Sequence, residues 1–276
     1  MNTNIKMVGL DLDGTLLTTE KKLSAYTRNV LEQAIAQGCV VLISTGRPIS
    51  AVPKEILEIR GMKYAVTVNG AKILNLETGE AICEKLLPPD VALQSLRIYS
   101  EYDSILELII DGNVYAKAEC FTHLEDYYDD QNVIDYVLNT RIPVDDVVAM
   151  ISGNEQPVDK IRAIFRNPKE REEAKRRLET IPGIVITSSC PIDLEVNIEG
   201  ANKGLGLIWL GQQLGIKREE IMACGDSFND YEMLKEVGFA VAMGNAEQDL
   251  KEIADYVTDT NDEDGVAKAI ERFVLK

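Results

Sequence analysis

Short apolar runs rich in β-formers alternate with helix-patterned stretches at both ends of this 276-residue chain, and that alternation leaves few folds open. Residues 6–10 read as a strand. Residues 24–37 read as a helix, with Tyr26, Val30, Leu31, Ala34 and Ile35 near a 3.6-residue period. Ser24 is placed to cap that helix and Gly38 to stop it. Residues 39–43 form a second, buried strand. Pro48 opens a further helix to about Ile59, residues 64–68 are a strand, and residues 73–76 and 81–84 form a hairpin through Thr78-Gly79. The last third repeats the rhythm, with helices over 202–214, 231–236, 247–253 and 265–274 and strands over 221–224, 239–242 and 256–257. Such alternation implies right-handed crossovers and a parallel sheet. The middle differs. Residues 104–110 and 114–117 flank a hairpin signal at Asp111-Gly112-Asn113, residues 122–138 read as an acidic helix, 168–181 as a charged one, and 160–165, 184–187 and 193–198 as strands. An α/β domain of residues 1–84 and 191–276 is therefore interrupted by an α+β unit of residues 85–190.

The formal net charge is −17, which makes nucleic acid and anionic membranes poor partners. An anionic substrate would be repelled too, unless cations are placed locally. Five cysteines, an odd number with no CxxC pair, indicate neither a disulfide framework nor a zinc site, and Cys39 and Cys224 read as core. No secretory signal and no membrane-length apolar stretch is visible, so the expected compartment is the reduced cytoplasm. His123 reads as a surface or helix-cap residue, Trp209 as core, and residues 169–177 as a solvated helix face.

Four short motifs carry chemistry. Asp11-Leu12-Asp13-Gly14 follows the first strand, and two carboxylates at a buried strand tip repel each other and lose water. A calcium loop fails as the explanation, because Leu16 and Lys22 stand where glycine and glutamate are needed. Ser44-Thr45-Gly46-Arg47 ends the second strand and offers hydroxyl and backbone donors to an anion. Lys203 stands at a helix start, unfavourable for the macrodipole unless it meets an anion, and no Walker spacing surrounds it. Gly225-Asp226-Ser227-Phe228-Asn229-Asp230 again puts acids past a strand's carboxyl end, where open α/β sheets bind ligands. Two carboxylate clusters with a lysine and a hydroxyl make a site for a divalent cation and an anion, and Mg2+ fits best.

Taken together, these motifs resemble the four motifs of the haloacid dehalogenase (HAD) superfamily. Val68-Asn69-Gly70-Ala71, Ala242-Met243-Gly244-Asn245-Ala246 and residues 262–267 resemble its Cof-type (subfamily IIB) sugar-phosphate phosphatases, and the likeness spans essentially the whole chain. The resemblance implies a Rossmann-like core carrying an inserted type C2 cap that sets specificity. It implies that Asp11 attacks phosphorus to form an aspartyl-phosphate, and that Asp13 acts as acid and then base. It also implies Mg2+ held by Asp11, the Asp13 carbonyl and Asp226, with Ser227 near its water shell. Phosphoryl oxygens would meet Leu12, Thr45, Gly46, Lys203 and Asn229, while Asp230 would orient Lys203 or a metal-bound water. The expected substrate is a small phosphorylated metabolite, a sugar phosphate before a cofactor monoester such as flavin mononucleotide or pyridoxal phosphate, handled by a monomer or homodimer. The rivals are a phosphosugar mutase of the same superfamily and a non-catalytic metal or phosphosugar sensor.

Overall fold

The computed structural model describes residues 4–153 and 155–275. The chain begins β1 (Met7–Leu10), α1 (Ala25–Ala36), β2 (Val40–Ser44), α2 (Lys54–Leu57), β3 (Tyr64–Thr67), β4 (Lys72–Asn75) and β5 (Ala81–Glu84). It continues α3 (Pro89–Tyr99), β6 (Ser104–Ile110), β7 (Asn113–Lys117), α4 (Gln131–Thr140), β8 (Arg141–Val144), α5 (Val147–Ile151), β9 (Lys160–Phe165), α6 (Pro168–Leu178), β10 (Ile184–Thr187) and β11 (Asp193–Ile198). It ends α7 (Lys203–Gln213), β12 (Ile221–Gly225), α8 (Tyr231–Glu236), β13 (Phe239–Ala242), α9 (Gln248–Ile253), β14 (Tyr256–Val257) and α10 (Gly265–Phe273).

The first unit holds an eight-stranded sheet in the order β14-β13-β12-β1-β2-β3-β4-β5. All pairs are parallel except those made by β4 and β5. The central β1 is wholly buried, which explains why its run carries no polar alternation. Its register sets Leu10 opposite both Cys224 of β12 and Ile43 of β2. The residues that follow all three strands therefore leave the sheet side by side. Strand order reverses at β1, a topological switch point. Ser24 caps α1 by accepting the Thr27 N–H, and Gly38 follows that helix at φ +90°.

The second unit, residues 85–201 with Arg47–Ala51, holds a six-stranded sheet in the order β10-β11-β9-β6-β7-β8. Leu108, Ile161, Phe165, Leu194 and Val196 pack with Leu96, Tyr99, Ala174 and Leu178 of the flanking helices. The alternate strand positions carry Glu107, Lys160, Arg162, Asp193 and Glu195.

Several expectations need correction. The unit expected to end at residue 190 extends to Ala201, because β11 pairs antiparallel with β9 and β10 instead of joining the parallel sheet. The helix expected from Pro48 to Ile59 is a 3-10 turn and the short α2, divided at Pro53, which has no N–H to continue a helix. Residues 118–126 form 3-10 turns, so the helix expected over 122–138 begins only at Gln131. Trp209 is half-buried, since the buried stripe of α7 runs through Gly206, Leu207 and Leu210. His123 lies on the surface as expected, between two 3-10 turns. No helix among the described residues is long and apolar enough to cross a membrane.

Candidate active site

Asp11 leaves the end of β1 nearly buried, and its N–H donates to the Cys224 carbonyl at 3.1 Å. Lys203 opens α7, whose cap Asn202 accepts the Leu205 N–H at 2.6 Å. That cap lies against Gly70, at φ +89°, where any Cβ would overlap the Asn202 carbonyl. A buried lysine at the positive end of a helix needs strong compensation. Lys203 Nζ finds it by donating to Asp11 Oδ1 and Asp230 Oδ1, each at 2.7 Å.

Asp230 also organises the loop after β12. Its Oδ2 accepts the N–H groups of Asp226 at 3.1 Å and Ser227 at 3.3 Å. Ser227 Oγ donates to Asn229 Oδ1 at 2.7 Å. Asp226 in turn reaches back to the first motif, where Thr15 Oγ1 donates to its Oδ1 at 2.6 Å. Gly14 takes φ +81° between them, and a Cβ there would run into the Asp226 carboxylate. One carboxylate oxygen from each of Asp11, Asp226 and Asp230 lies within 4.8 Å of the others.

On the other flank of β1, Thr45 is buried at the end of β2. Its N–H donates to Val66 O at 2.9 Å and its carbonyl accepts from Asn69 N at 3.1 Å. Gly46 follows it. Leu12 is buried, and its carbonyl accepts the Leu17 N–H at 2.9 Å. Asp13 is not one of the three clustered carboxylates, though its charge acts on Asp226. It is partly exposed, and its Oδ1 accepts from Lys21 Nζ at 2.8 Å.

Three carboxylates share one buried ammonium, and the acidities show the imbalance. Burial, then Asp230, pushes Asp11 well above the usual carboxylate range despite the opposing pull of Lys203. Burial, then Asp230, pushes Asp226 up to about 7. Burial works against the charge on Lys203, but Asp11 and Asp230 outweigh it and raise its pKa. An all-oxygen donor set with surplus negative charge fits a hard divalent cation such as Mg2+.

The structure thus joins Asp11, Lys203, Asp226 and Asp230 directly and sets Thr45 and Gly46 on the adjacent strand end. Sequence reasoning named no role for Thr15, Lys21, Asn245 or Asn261. Thr15 had a local signal, a hydroxyl immediately after the glycine turn, and Asn245 lay in a stretch that resembles the family.

A family model of haloacid dehalogenase-like hydrolases matches residues 8–270. The chain is 32% identical over 275 residues to a 5-amino-6-(5-phospho-D-ribitylamino)uracil phosphatase of Bacillus subtilis, covering 99% of this chain and 98% of that one. It is 30% identical to a putative phosphatase of the same organism, covering 98% of each. A B. subtilis haloacid dehalogenase-like hydrolase superposes with a TM-score of 0.86 at 30% identity, over 97% of this chain and 99% of that one. A subclass IIB sugar phosphatase superposes with a TM-score of 0.80 at 25% identity, over 98% of this chain and 100% of that one. The chain belongs to the haloacid dehalogenase-like hydrolases. Among them it stands with the phosphatases, as a phosphoric monoester hydrolase.

Proposed function

We propose that this chain is a Mg2+-dependent phosphatase of small metabolites, cleaving a phosphate from the terminal hydroxyl of a sugar or sugar alcohol. The observation that carries the reading is the buried cluster of Asp11, Asp226 and Asp230 around Lys203, at the switch point of a parallel sheet. The substrate class rests on the relatives, one named a sugar phosphatase and one acting on a phosphorylated ribityl chain.

In this reading an Asp11 oxygen attacks phosphorus in line. The bond from phosphorus to the leaving oxygen breaks and an aspartyl-phosphate forms. Asp13 gives its proton to the leaving alkoxide, then takes one from the water that hydrolyses the intermediate. Lys203, Thr45, Asn229 and the N–H groups of Leu12 and Gly46 bind the phosphoryl oxygens. Asp11, the Asp13 carbonyl and Asp226 would hold Mg2+, with Ser227 beside its water shell and Asp230 fixing Lys203. The bound ion would neutralise charge on the phosphoryl group. Substrate choice is assigned to the second unit. The five cysteines are all free, in keeping with a cytoplasmic enzyme.

The test is phosphate release by the purified chain across sugar phosphates, ribitol 5-phosphate, flavin mononucleotide and pyridoxal phosphate, with Mg2+ or with EDTA. Release from sugar or sugar-alcohol phosphates, abolished by EDTA, is expected. Preference for the two cofactor monoesters would overturn the substrate class. A rearranged sugar phosphate without free phosphate would mean a mutase. No cleavage of any monoester would leave the sensor as the better reading.

A further inference from the structure

The turn that carries Asp13 is tied down by two amide side chains more than 200 residues away in sequence, and the phosphatase reading gives neither a role. Asn245 Nδ2 donates to Gly14 O at 2.8 Å. Asn245 Oδ1 accepts the Asn261 N–H at 3.0 Å. Asn261 Nδ2 donates to Leu17 O at 2.9 Å. One relay thus grips both ends of the turn, and it needs amides, because each side chain must donate and Asn245 must also accept. Asp262 extends the hold by accepting the Thr19 N–H at 2.8 Å and Thr19 Oγ1 at 2.7 Å. Asn245 is exposed, so water could satisfy it, and burial does not dictate its bonds.

Resting on the phosphatase reading, we propose that Asn245 and Asn261 are positioning residues that aim Asp13 at the leaving oxygen. Asp11 has further anchors of its own, since its N–H donates to Cys224 of β12 and its side chain accepts from Lys203, while its carbonyl accepts the Leu16 N–H of the turn. The Asp13 side chain is partly exposed and its Oδ1 accepts from Lys21 Nζ, so its direction is set by the backbone of the turn together with Lys21. As the bond from Asp11 to phosphorus forms and the bond to the leaving oxygen breaks, the Asp13 proton passes to that oxygen. A sugar alkoxide needs this proton. A p-nitrophenolate leaves as a stable anion without it. Loosening the turn therefore impairs one ester and spares the other.

The experiment compares kcat/KM, which reports steps through formation of the aspartyl-phosphate, for p-nitrophenyl phosphate and for whichever sugar phosphate wild type cleaves fastest. Asn245→Ala in the full chain with Mg2+ should lose about tenfold on the sugar phosphate and less than about twofold on the aryl ester. Asn245→Asp keeps the acceptor but not the donor to Gly14, and should behave like Asn245→Ala. Asn261→Ala should show the same selective loss, with an unchanged melting temperature for the Asn245 variants as the control for folding. Equal losses on both esters, or none on either, would overturn the proposal while leaving the phosphatase intact. Wild type that cleaves neither ester would sink both.

Discussion

Each unit buries a cluster of three carboxylates, and the two differ in what accompanies them. In the first unit the one cation ion-paired with the cluster of Asp11, Asp226 and Asp230, among the described residues, is Lys203. In the second, Glu107, Asp193 and Glu195 have Arg141, Arg162 and Lys160, with contacts of 2.7 Å from Arg141 to Glu107, 2.8 Å from Arg162 to Asp193 and 2.7 Å from Lys160 to Glu195. The acidities move in opposite directions. Burial opposes ionisation of Glu107, yet Arg141 and Arg162 outweigh it and bring its pKa down to about 2. Burial raises Asp226 to about 7, because Asp230 adds to it where the second unit would have offered an arginine. A balanced buried cluster completes itself and serves structure. An unbalanced one is complete only with a cation and an anionic substrate.

The largest effect should come from the unbalanced side. Asp11→Asn should lower turnover by roughly 10^4-fold or more, since an amide is a poor nucleophile and Asp230, the other carboxylate on Lys203, is tied to the Asp226 and Ser227 N–H groups. Its metal-free form should unfold at no lower urea concentration than wild type, because the substitution removes a surplus charge. Normal turnover in this variant would show the nucleophile to be misassigned.

Breaking the balanced side should cost stability instead. Glu107→Ala leaves Arg141 and Arg162 short of a buried counter-charge and should destabilise the chain by about 3–5 kcal/mol in urea titrations. A loss below about 1 kcal/mol would mean that the network is solvated, and the contrast between the two clusters would fail. The sign of the pH dependence separates them too. A depressed carboxylate contributes stability above its unfolded pKa and loses it only as pH falls through its folded value. The Glu107 contribution should therefore hold down to about pH 4 and vanish toward pH 2.

This contrast was only half legible in the sequence. Asp11, Thr45, Lys203 and Asp226 sit at strand ends and helix starts that apolar runs and glycines mark locally. Nothing local to Glu107, Asp193 or Glu195 announces Arg162 arriving from the neighbouring β9, or Arg141 from β8, which lies beyond β7. The same gap misplaced β11, whose pattern fits either sheet until its partner is known. Helix α3 has no counterpart in the sequence reading, although Pro89 at its first turn is a residue well suited to a helix start. Asn245 lies in a stretch that resembles the family, but its grip on Gly14 spans 231 residues and its partner leaves no local trace.

A smaller effect tests the surplus charge itself. Asp226 has a folded pKa of about 7 against an unfolded value near 3.8, so the native state binds the extra proton between them. Metal-free stability should then fall as pH rises from about 4 to about 7, and stay low above that. Asp226→Asn keeps an acceptor for Thr15 but removes the charge. Without metal it should match wild type near pH 4.5 and exceed it by about 2 kcal/mol at pH 8. Mg2+ should reverse the order, raising the wild-type melting temperature more at pH 8 than at pH 5.5, where protons compete for the same oxygens, and leaving the variant nearly unmoved. A melting temperature indifferent to Mg2+ at pH 8 would show that the three carboxylates are not a cation site, and their resemblance to the balanced cluster would then outweigh the difference.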